Sequence, residues 1–302
     1  MHLSGTVVPM AAPIHRRGGD IDVPTLEDFT ESLVNAGVHG LFPGSSIGEF
    51  PSLTREQNHQ IIEIVAETAA DDTDVLAGCC DTSVDGVIDN VRAADAAGAD
   101  AAVVVTPYYL NTTQNGLYRF FTSVADRTTL PVLVYNIPSL TGNHVEVETI
   151  TKLAAHDDIV GVKDTSGDLT YHHRVIEETP DSFAVFQGAT ELAVASLDLG
   201  ASGIIAGPAN IFPEALARLY EAHQSHDHDE VRRLMNQVVV PLVTATSDVP
   251  TAAGIKHLVG RSGLDVGEPL APLPKLDDDE RDRLDQTYER IVERLETSTA
   301  EQ

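Results

Sequence analysis

The chain has 302 residues, of which 42% are hydrophobic and 22% are charged, so it can build a sizeable core and is not simply disordered. Its 47 acidic residues outnumber its 19 lysines and arginines, and the formal net charge is -28. Such a surface would repel nucleic-acid phosphates and anionic membranes, so neither is expected as a partner. Scarce lysine with excess acid favours adaptation to high salt, which screens self-repulsion, over an ordinary acidic protein.

Cysteines and termini add little to this first description. Cys79 and Cys80 are adjacent, with no disulfide framework and no spacing typical of a zinc site. The N-terminal residues lack the pattern of a signal peptide, and no apolar run is long enough for a membrane span. We therefore expect a cytoplasmic protein without a bound metal.

Eight short apolar runs alternate with longer amphipathic segments. Most runs are rich in β-branched residues, as expected for strands buried on both faces of a parallel sheet. The predicted strands are Thr6–Val8, Gly40–Phe42, Val75–Ala77, Ala101–Val105, Val132–Tyr135, Ile159–Lys163, Ala184–Phe186 and Gly203–Ile205. Eight such units in about 220 residues predict an α/β fold, the (β/α)8 or TIM barrel.

Predicted helices lie between these strands, and only helices are predicted after the last strand. Thr25 and Thr54 are predicted to cap helices, Thr54 with the capping-box partner Gln57. Beyond residue 225 the patterns are helical only. We therefore predict a barrel over residues 1–225, which carries the active site, and a C-terminal helical extension over residues 226–302.

Chemistry in such barrels lies at the carboxyl ends of the strands, and Lys163 ends the sixth strand. Because the chain uses arginine far more than lysine, a lysine here suggests a role that needs a neutral amine, such as forming a Schiff base. The alternative is an ion pair with Asp164. The other three lysines fall in helix or loop patterns and are expected at the surface.

Tyrosines end the neighbouring strands. Tyr135 ends the fifth strand at the same rim as Lys163, where it would relay protons or simply pack. Tyr108 and Tyr109 follow the fourth strand, and one of these adjacent residues is expected to pack.

Other polar motifs are less specific. The turn Gly44-Ser45-Ser46 can present hydroxyl and N–H groups to a carboxylate. His226 and His228 fit a solvated turn better than a metal site. His172 and His173 are expected on a helix surface.

Together these residues resemble the pyruvate-dependent class I aldolases of the dihydrodipicolinate synthase/N-acetylneuraminate lyase family. The markers, which span roughly residues 4 to 260, are Gly44-Ser45-Ser46 with Gly48-Glu49, Thr106-Pro107-Tyr108-Tyr109, Tyr135-Asn136-Ile137-Pro138 with Thr141-Gly142, Val162-Lys163-Asp164, and Gly203-Ile204-Ile205 with Asn210. Each marker is modest alone, but five in order at strand ends are specific.

The resemblance implies a role for each marked residue. Lys163 would form the Schiff base, so that no further cofactor is needed, and Tyr135 would shuttle protons. Tyr109 would be lent across a tight dimer of a homotetramer. The pocket for pyruvate and its partner substrate would be lined by Ser45, Ser46, Thr165, Gly188 and Ile205.

Departures from the family pattern guide the choice of substrate. Ile47 is inserted before Gly48, and Leu140 stands where dihydrodipicolinate synthases usually have an arginine for the second substrate's carboxylate. The residues Ala206 to Asn210 look more like 2-keto-3-deoxygluconate aldolases. The sequence alone therefore favours reversible cleavage of 2-keto-3-deoxygluconate, or its 6-phosphate, to pyruvate and glyceraldehyde, or its 3-phosphate.

Four other functions remain open at this point. Two keep the Schiff base: condensation of pyruvate with aspartate semialdehyde by a dihydrodipicolinate synthase, and dehydration of a keto-deoxy sugar acid. The other two are a keto-acid sensor and a metal-dependent class II aldolase.

Overall fold

Eight parallel strands close into a barrel in which each strand pairs with the next along the chain and β8 pairs with β1. The structure is a computed structural model that describes residues 3–15, 19–70 and 72–300. The strands are β1 Gly5–Pro9, β2 Gly40–Phe42, β3 Asp74–Gly78, β4 Ala101–Val105, β5 Val132–Asn136, β6 Ile159–Asp164, β7 Ala184–Gln187 and β8 Gly203–Ile205. The predicted (β/α)8 barrel and its eight strands are confirmed.

Helices surround the barrel and continue beyond it. The α-helices are α1 Val23–Asn35, α2 Arg55–Thr68, α3 Val84–Ala96, α4 Gln114–Ala125, α5 Pro138–Thr141, α6 Val147–Leu153, α7 Leu169–Glu178, α8 Ala193–Asp198, α9 Pro213–Gln224, α10 His228–Leu234, α11 Val240–Ser247, α12 Thr251–Arg261 and α13 Asp278–Ala300. Short 3-10 segments cover Phe50–Ser52, Thr190–Leu192 and Gly207–Asn210, and a π-helical segment, Met235–Val239, joins α10 to α11. No described helix is both long enough and apolar enough to cross a bilayer.

Local capping explains where two of these helices begin. Thr54 forms the predicted capping box with Gln57 at the start of α2. The predicted cap of α1 at Thr25 is wrong, because the Asp22 side chain accepts the Thr25 N–H and caps the helix three residues earlier.

Two apolar clusters form the core. One fills the barrel interior with side chains such as Phe42, Leu133 and Phe186. The other lies between the strands and the helices and includes Leu242 and Ile291 of the C-terminal extension. The extension thus shares its core with the barrel, and the boundary after residue 225 stays a prediction.

A buried ion pair ties the extension to the barrel mouth. The Lys256 ammonium on α12 lies 2.5 Å from Oε1 of Glu49, and both side chains are at most 1% exposed. Oε2 of Glu49 accepts the N–H of Leu270 at 2.6 Å. The expectation that Lys256 lies at the surface is therefore wrong, because its carboxylate partner comes from a distant turn that helix periodicity does not reveal.

The turn after β2 touches the last residue of β3 through the backbone. A methyl group added at Gly78 would lie 2.1 Å from the carbonyl oxygen of Gly44. Gly44 itself has φ +71, which glycine adopts without strain. This contact positions the turn that carries Ser45 and Ser46.

We expect Gly78→Ala to lower the free energy of unfolding by about 1–3 kcal/mol, because the backbone of a tightly packed turn must shift. Gly260→Ala is the matched control, since an added methyl group there meets no atom within 4 Å. The control should leave stability unchanged or raise it by up to about 1 kcal/mol, because alanine is the better helix former. Urea unfolding checks both, and equal stabilities would contradict the role of the close contact.

Candidate active site

Lys163 and Tyr135 lie side by side inside the barrel mouth. They are register partners on β6 and β5, so both side chains point to the interior. The Lys163 Nζ atom is 4.1 Å from the centroid of the Tyr135 ring and 5.0 Å from that of Phe42. The structure therefore brings together the two residues that the sequence places at one rim.

Burial changes the acid–base state of the Lys163 amine. Its surroundings are largely apolar, and desolvation lowers its pKa from 10.5 to about 7. A considerable fraction of the amine is consequently neutral near pH 7, and the neutral amine is the form that attacks a carbonyl carbon.

Asp164 does not form the alternative ion pair with Lys163. As the next residue on β6, it points away from the interior, towards α7. Its carboxylate accepts hydrogen bonds from Asn136 Nδ2 at 3.1 Å, from the N–H and Oγ of Ser166 at 3.0 and 3.1 Å, and from His172 Nδ1 at 3.2 Å. These bonds fix the ends of β5 and β6, from which Tyr135 and Lys163 project.

His172 is fully buried on α7, so its expected place on a helix surface is wrong. Its Nδ1 faces Asp164, and its Nε2 lies 2.5 Å from the Ser196 hydroxyl on α8. In the neutral tautomer with the proton on Nδ1, the ring donates to the carboxylate and Nε2 accepts from the serine hydroxyl. Sequence analysis did not reveal this series of hydrogen bonds, because Asp164, His172 and Ser196 lie on three separate elements.

Tyr135 remains protonated over the ordinary pH range. Burial raises its pKa to about 12, and the nearby Ser46 and Thr165 side chains oppose this rise only in part. A phenol next to an amine and a hydroxyl can pass a proton between them.

The two serines of the turn after β2 differ in their surroundings. The Ser45 hydroxyl donates to the Met10 carbonyl at 3.3 Å and accepts the Gly48 N–H at 3.1 Å, so it holds the turn. Ser46 is the one whose side chain faces Tyr135. Within the described chain, neither serine uses its own backbone N–H in a hydrogen bond, and both groups are free for an anion.

Ile47 fits against the 3-10 segment that follows β8. A methyl group added at Gly207 would lie 2.8 Å from Cδ1 of Ile47. The glycine thus leaves space for the end of the Ile47 side chain.

Thr165 and Gly188 lie beside the reactive amine, as the predicted pocket requires. A methyl group added at Gly188 would lie 2.0 Å from Thr165 Oγ1 and 3.1 Å from Cε of Lys163. The Thr165 Oγ1 atom is buried and lies near the Tyr135 hydroxyl. Ile205 closes the interior from the end of β8.

The side chains of Tyr108 and Tyr109 point in different directions, as expected for adjacent residues. Tyr108 packs edge-on against Phe50, with the ring centroids 6.3 Å apart. Tyr109 has φ +77 and is 91% exposed, so it does not enter the pocket of its own chain. Its role in a partner's site stays a prediction.

Cys80 is a site residue that sequence reasoning missed. It follows β3 and lies close enough to Lys163 and Tyr135 to influence both titrations. Burial raises the pKa of its own thiol to about 12, so it is uncharged near pH 7. Its position three residues after the predicted strand Val75–Ala77 was the available signal.

No cluster of three or more histidine, cysteine, aspartate or glutamate side chains suited to a metal occurs among residues 3–15, 19–70 and 72–300. His226 and His228 lie in an exposed stretch at the start of α10, which the Asp227 side chain caps.

Comparison with known proteins gives the family. The model of the dihydrodipicolinate synthetase family matches residues 2–291. The chain belongs to this family. It is thus an enzyme, a lyase of the class I aldolase type, as its motifs indicate.

Individual relatives are similar over almost their whole length. The chain is 33% identical to the 4-hydroxy-tetrahydrodipicolinate synthase of Macrococcus caseolyticus, covering 97% of each chain. It is also 33% identical to a DapA-like lyase of Halobacterium salinarum, over 92% of this chain and 91% of that one. The structure of the 4-hydroxy-tetrahydrodipicolinate synthase from Methylacidiphilum fumariolicum matches with a TM-score of 0.93 at 28% identity, covering 98% of both chains.

The names of these relatives contradict the substrate that the sequence analysis favoured. Cleavage of 2-keto-3-deoxygluconate or its 6-phosphate was expected, but relatives from several organisms are 4-hydroxy-tetrahydrodipicolinate synthases. The expectation relied on Leu140 and on the segment after β8, and those few positions weigh less than similarity along the whole chain.

Imine formation with pyruvate should accelerate as the pH rises through about 7 and then level off, because the neutral Lys163 amine is the nucleophile. The measurement is the initial rate of borohydride-trapped mass on Lys163 between pH 5 and pH 10. A rate that still climbs tenfold per pH unit near pH 9, as for an ordinary lysine, would contradict the lowered pKa.

Asp164→Asn should lower the free energy of unfolding by about 2–3 kcal/mol, because an amide nitrogen cannot accept the buried hydrogen bonds of a carboxylate oxygen. Asp168→Asn, in the loop that follows β6, is the matched control. Asp168 is exposed and caps α7, a position that asparagine fills equally well. Urea unfolding compares the two variants. Equal stability would show that the buried hydrogen bonds of Asp164 do not stabilise the fold.

Proposed function

We propose that the protein condenses pyruvate with aspartate semialdehyde through a Schiff base on Lys163, as the names of its relatives suggest. The observation that carries this proposal is the buried amine of Lys163, poised near neutrality against the Tyr135 phenol.

The reaction begins with attack of the Lys163 nitrogen on C2 of pyruvate. Loss of water gives an iminium, and loss of a C3 proton gives an enamine. The enamine carbon attacks the aldehyde carbon of the second substrate, whose oxygen takes a proton. The amine of that substrate then attacks C2, closing a ring and releasing Lys163.

The residues around the amine divide the remaining tasks. Tyr135 passes protons to and from the reacting oxygens, with Ser46 extending the relay. The free N–H groups of Ser45 and Ser46 bind the pyruvate carboxylate, and the Ser45 hydroxyl holds their turn. The buried hydroxyl of Thr165, with Gly188 and Ile205, lines the pocket.

Quaternary structure completes the proposal. The exposed Tyr109, next to the exposed Leu110, suits a subunit interface. We propose a homotetramer of two tight dimers in which Tyr109 enters the partner's site.

Pyruvate consumption with aspartate semialdehyde tests the activity. Lys163→Met should reduce kcat about 10³-fold or more, because the nucleophile is lost. Lys152→Met, which removes an exposed lysine on α6, should be unaffected. Turnover of 2-keto-3-deoxygluconate in preference to aspartate semialdehyde would refute the proposal.

Leu140 makes a second test possible. It is 68% exposed on α5, where related synthases usually place an arginine. Leu140→Arg should lower KM for aspartate semialdehyde about tenfold and leave KM for pyruvate unchanged, because a charge-assisted pair with the carboxylate is added.

Val240→Arg is the control, since it adds the same charge at an exposed position on α11. If Leu140→Arg leaves KM for aspartate semialdehyde at the value of this control, the second substrate does not place its carboxylate at α5.

A further inference from the structure

The loop between β4 and α4, residues 106–113, carries Tyr109 and takes its support from outside itself. In the described part of the chain, the backbone groups of residues 107–112 form no hydrogen bond with other backbone groups. Backbone groups without such partners are satisfied by side chains or by water. Here the side chain is that of Asn143, which lies shortly after α5.

The Asn143 amide binds this loop on both sides of Tyr109. Its Nδ2 group donates to the carbonyl oxygens of Pro107 at 2.8 Å and Leu110 at 3.3 Å, and its Oδ1 atom accepts the N–H of Thr112 at 2.9 Å. The residue is 4% exposed. Both donor hydrogens and the acceptor oxygen of the amide are thus used to hold one loop.

The end of α5 fixes Asn143 in turn. Its N–H donates to Thr141 Oγ1 at 3.3 Å, and its carbonyl oxygen accepts from the same hydroxyl at 3.1 Å. Thr141 Oγ1 also accepts from the Thr106 hydroxyl, at the end of β4, at 2.9 Å. The amide is therefore placed by buried contacts to both connections.

Tyr109 has a conformation that needs such support. Its φ is +77, in the left-handed region, which is strained for a residue with a Cβ atom and persists only where the surroundings impose it. Its side chain is 91% exposed and forms no hydrogen bond or ring contact with any described residue. A strained backbone thus presents a phenol for which its own subunit supplies no contact.

We propose that Asn143 is a positioning residue, whose amide holds the loop in the conformation that projects the Tyr109 phenol into the active site of the partner subunit. This inference rests on the proposed function, in which Tyr109 acts across a dimer. Loss of Asn143 then impairs the site of the other subunit and leaves Lys163 of its own subunit intact.

Mixed oligomers test whether Asn143 acts across the interface. Asn143→Ala should lower kcat at least about tenfold, because the phenol is no longer held in place. Co-expression with the inactive Lys163→Met should restore about a quarter of the wild-type kcat per subunit, the share of sites that random pairing makes competent. In a mixed pair, the intact Lys163 of one subunit meets the correctly held Tyr109 of the other.

Tyr135→Phe is the matched control, because it damages the site of its own subunit. Its co-expression with Lys163→Met leaves every site without one of the two residues, so no activity should return. Asn143→Asp, which keeps the size of the side chain but cannot donate to the two carbonyl oxygens, should behave like Asn143→Ala. A wild-type kcat in both variants of Asn143, or no more recovery than in the control mixture, would overturn the proposal.

Hydrogen exchange tests the hold on the loop without reference to turnover. The Thr112 N–H is bonded to Asn143, so a peptide covering residues 107–112 should lose this protection. Its exchange should be at least about tenfold faster in Asn143→Ala than in the wild type.

Gln114→Ala is the control for exchange. The Gln114 side chain joins α4 to the same connection, because it donates to the His144 carbonyl oxygen at 2.7 Å and accepts the Glu146 N–H at 3.0 Å. These bonds lie outside residues 107–112, so the variant should exchange there like the wild type. Equal rates in Asn143→Ala and Gln114→Ala would overturn the proposal, whereas a wild type that does not condense the two substrates would count against the proposed function alone.

Discussion

Burial of the Lys163 side chain inside a closed ring of strands disfavours its charged form, and the proposed chemistry depends on this. The fall of its pKa from 10.5 to about 7 corresponds to about 5 kcal/mol of unfavourable environment for the ammonium. The barrel supplies that environment because it buries the amine away from water, beside the rings of Phe42 and Tyr135. Other interactions in the folded state must therefore offset the free-energy cost of burying this amine.

The side chains of β5 and β6 alternate in direction, so the reactive residues point inward and the residues that hold the strands in place point outward. Tyr135 and Lys163 point inward, and their neighbours Asn136 and Asp164 point outward and bond to each other at 3.1 Å. Through His172, the outward pair is connected to α7 and α8. A shift of either strand by one residue would exchange the reactive and supporting faces, so the buried network outside the barrel also maintains the register inside it.

The sequence predicted what local patterns determine and failed where partners come from distant elements. All eight strands, and the rim positions of Lys163 and Tyr135, followed from apolar runs and the rule that barrel chemistry lies at strand ends. Burial of His172 and Lys256 did not follow, because each depends on a carboxylate brought in by the fold. The predicted substrate was wrong because Leu140 and the segment after β8 were given more weight than similarity along the whole chain.

The contact between Ile47 and Gly207 joins two loops that lie far apart in the chain. A methyl group at position 207 would lie 2.8 Å from Cδ1 of Ile47, so a side chain there requires the isoleucine to change its conformation. A residue much larger than alanine at position 207 would need a side chain smaller than isoleucine at position 47. The two positions should therefore covary among members of the family.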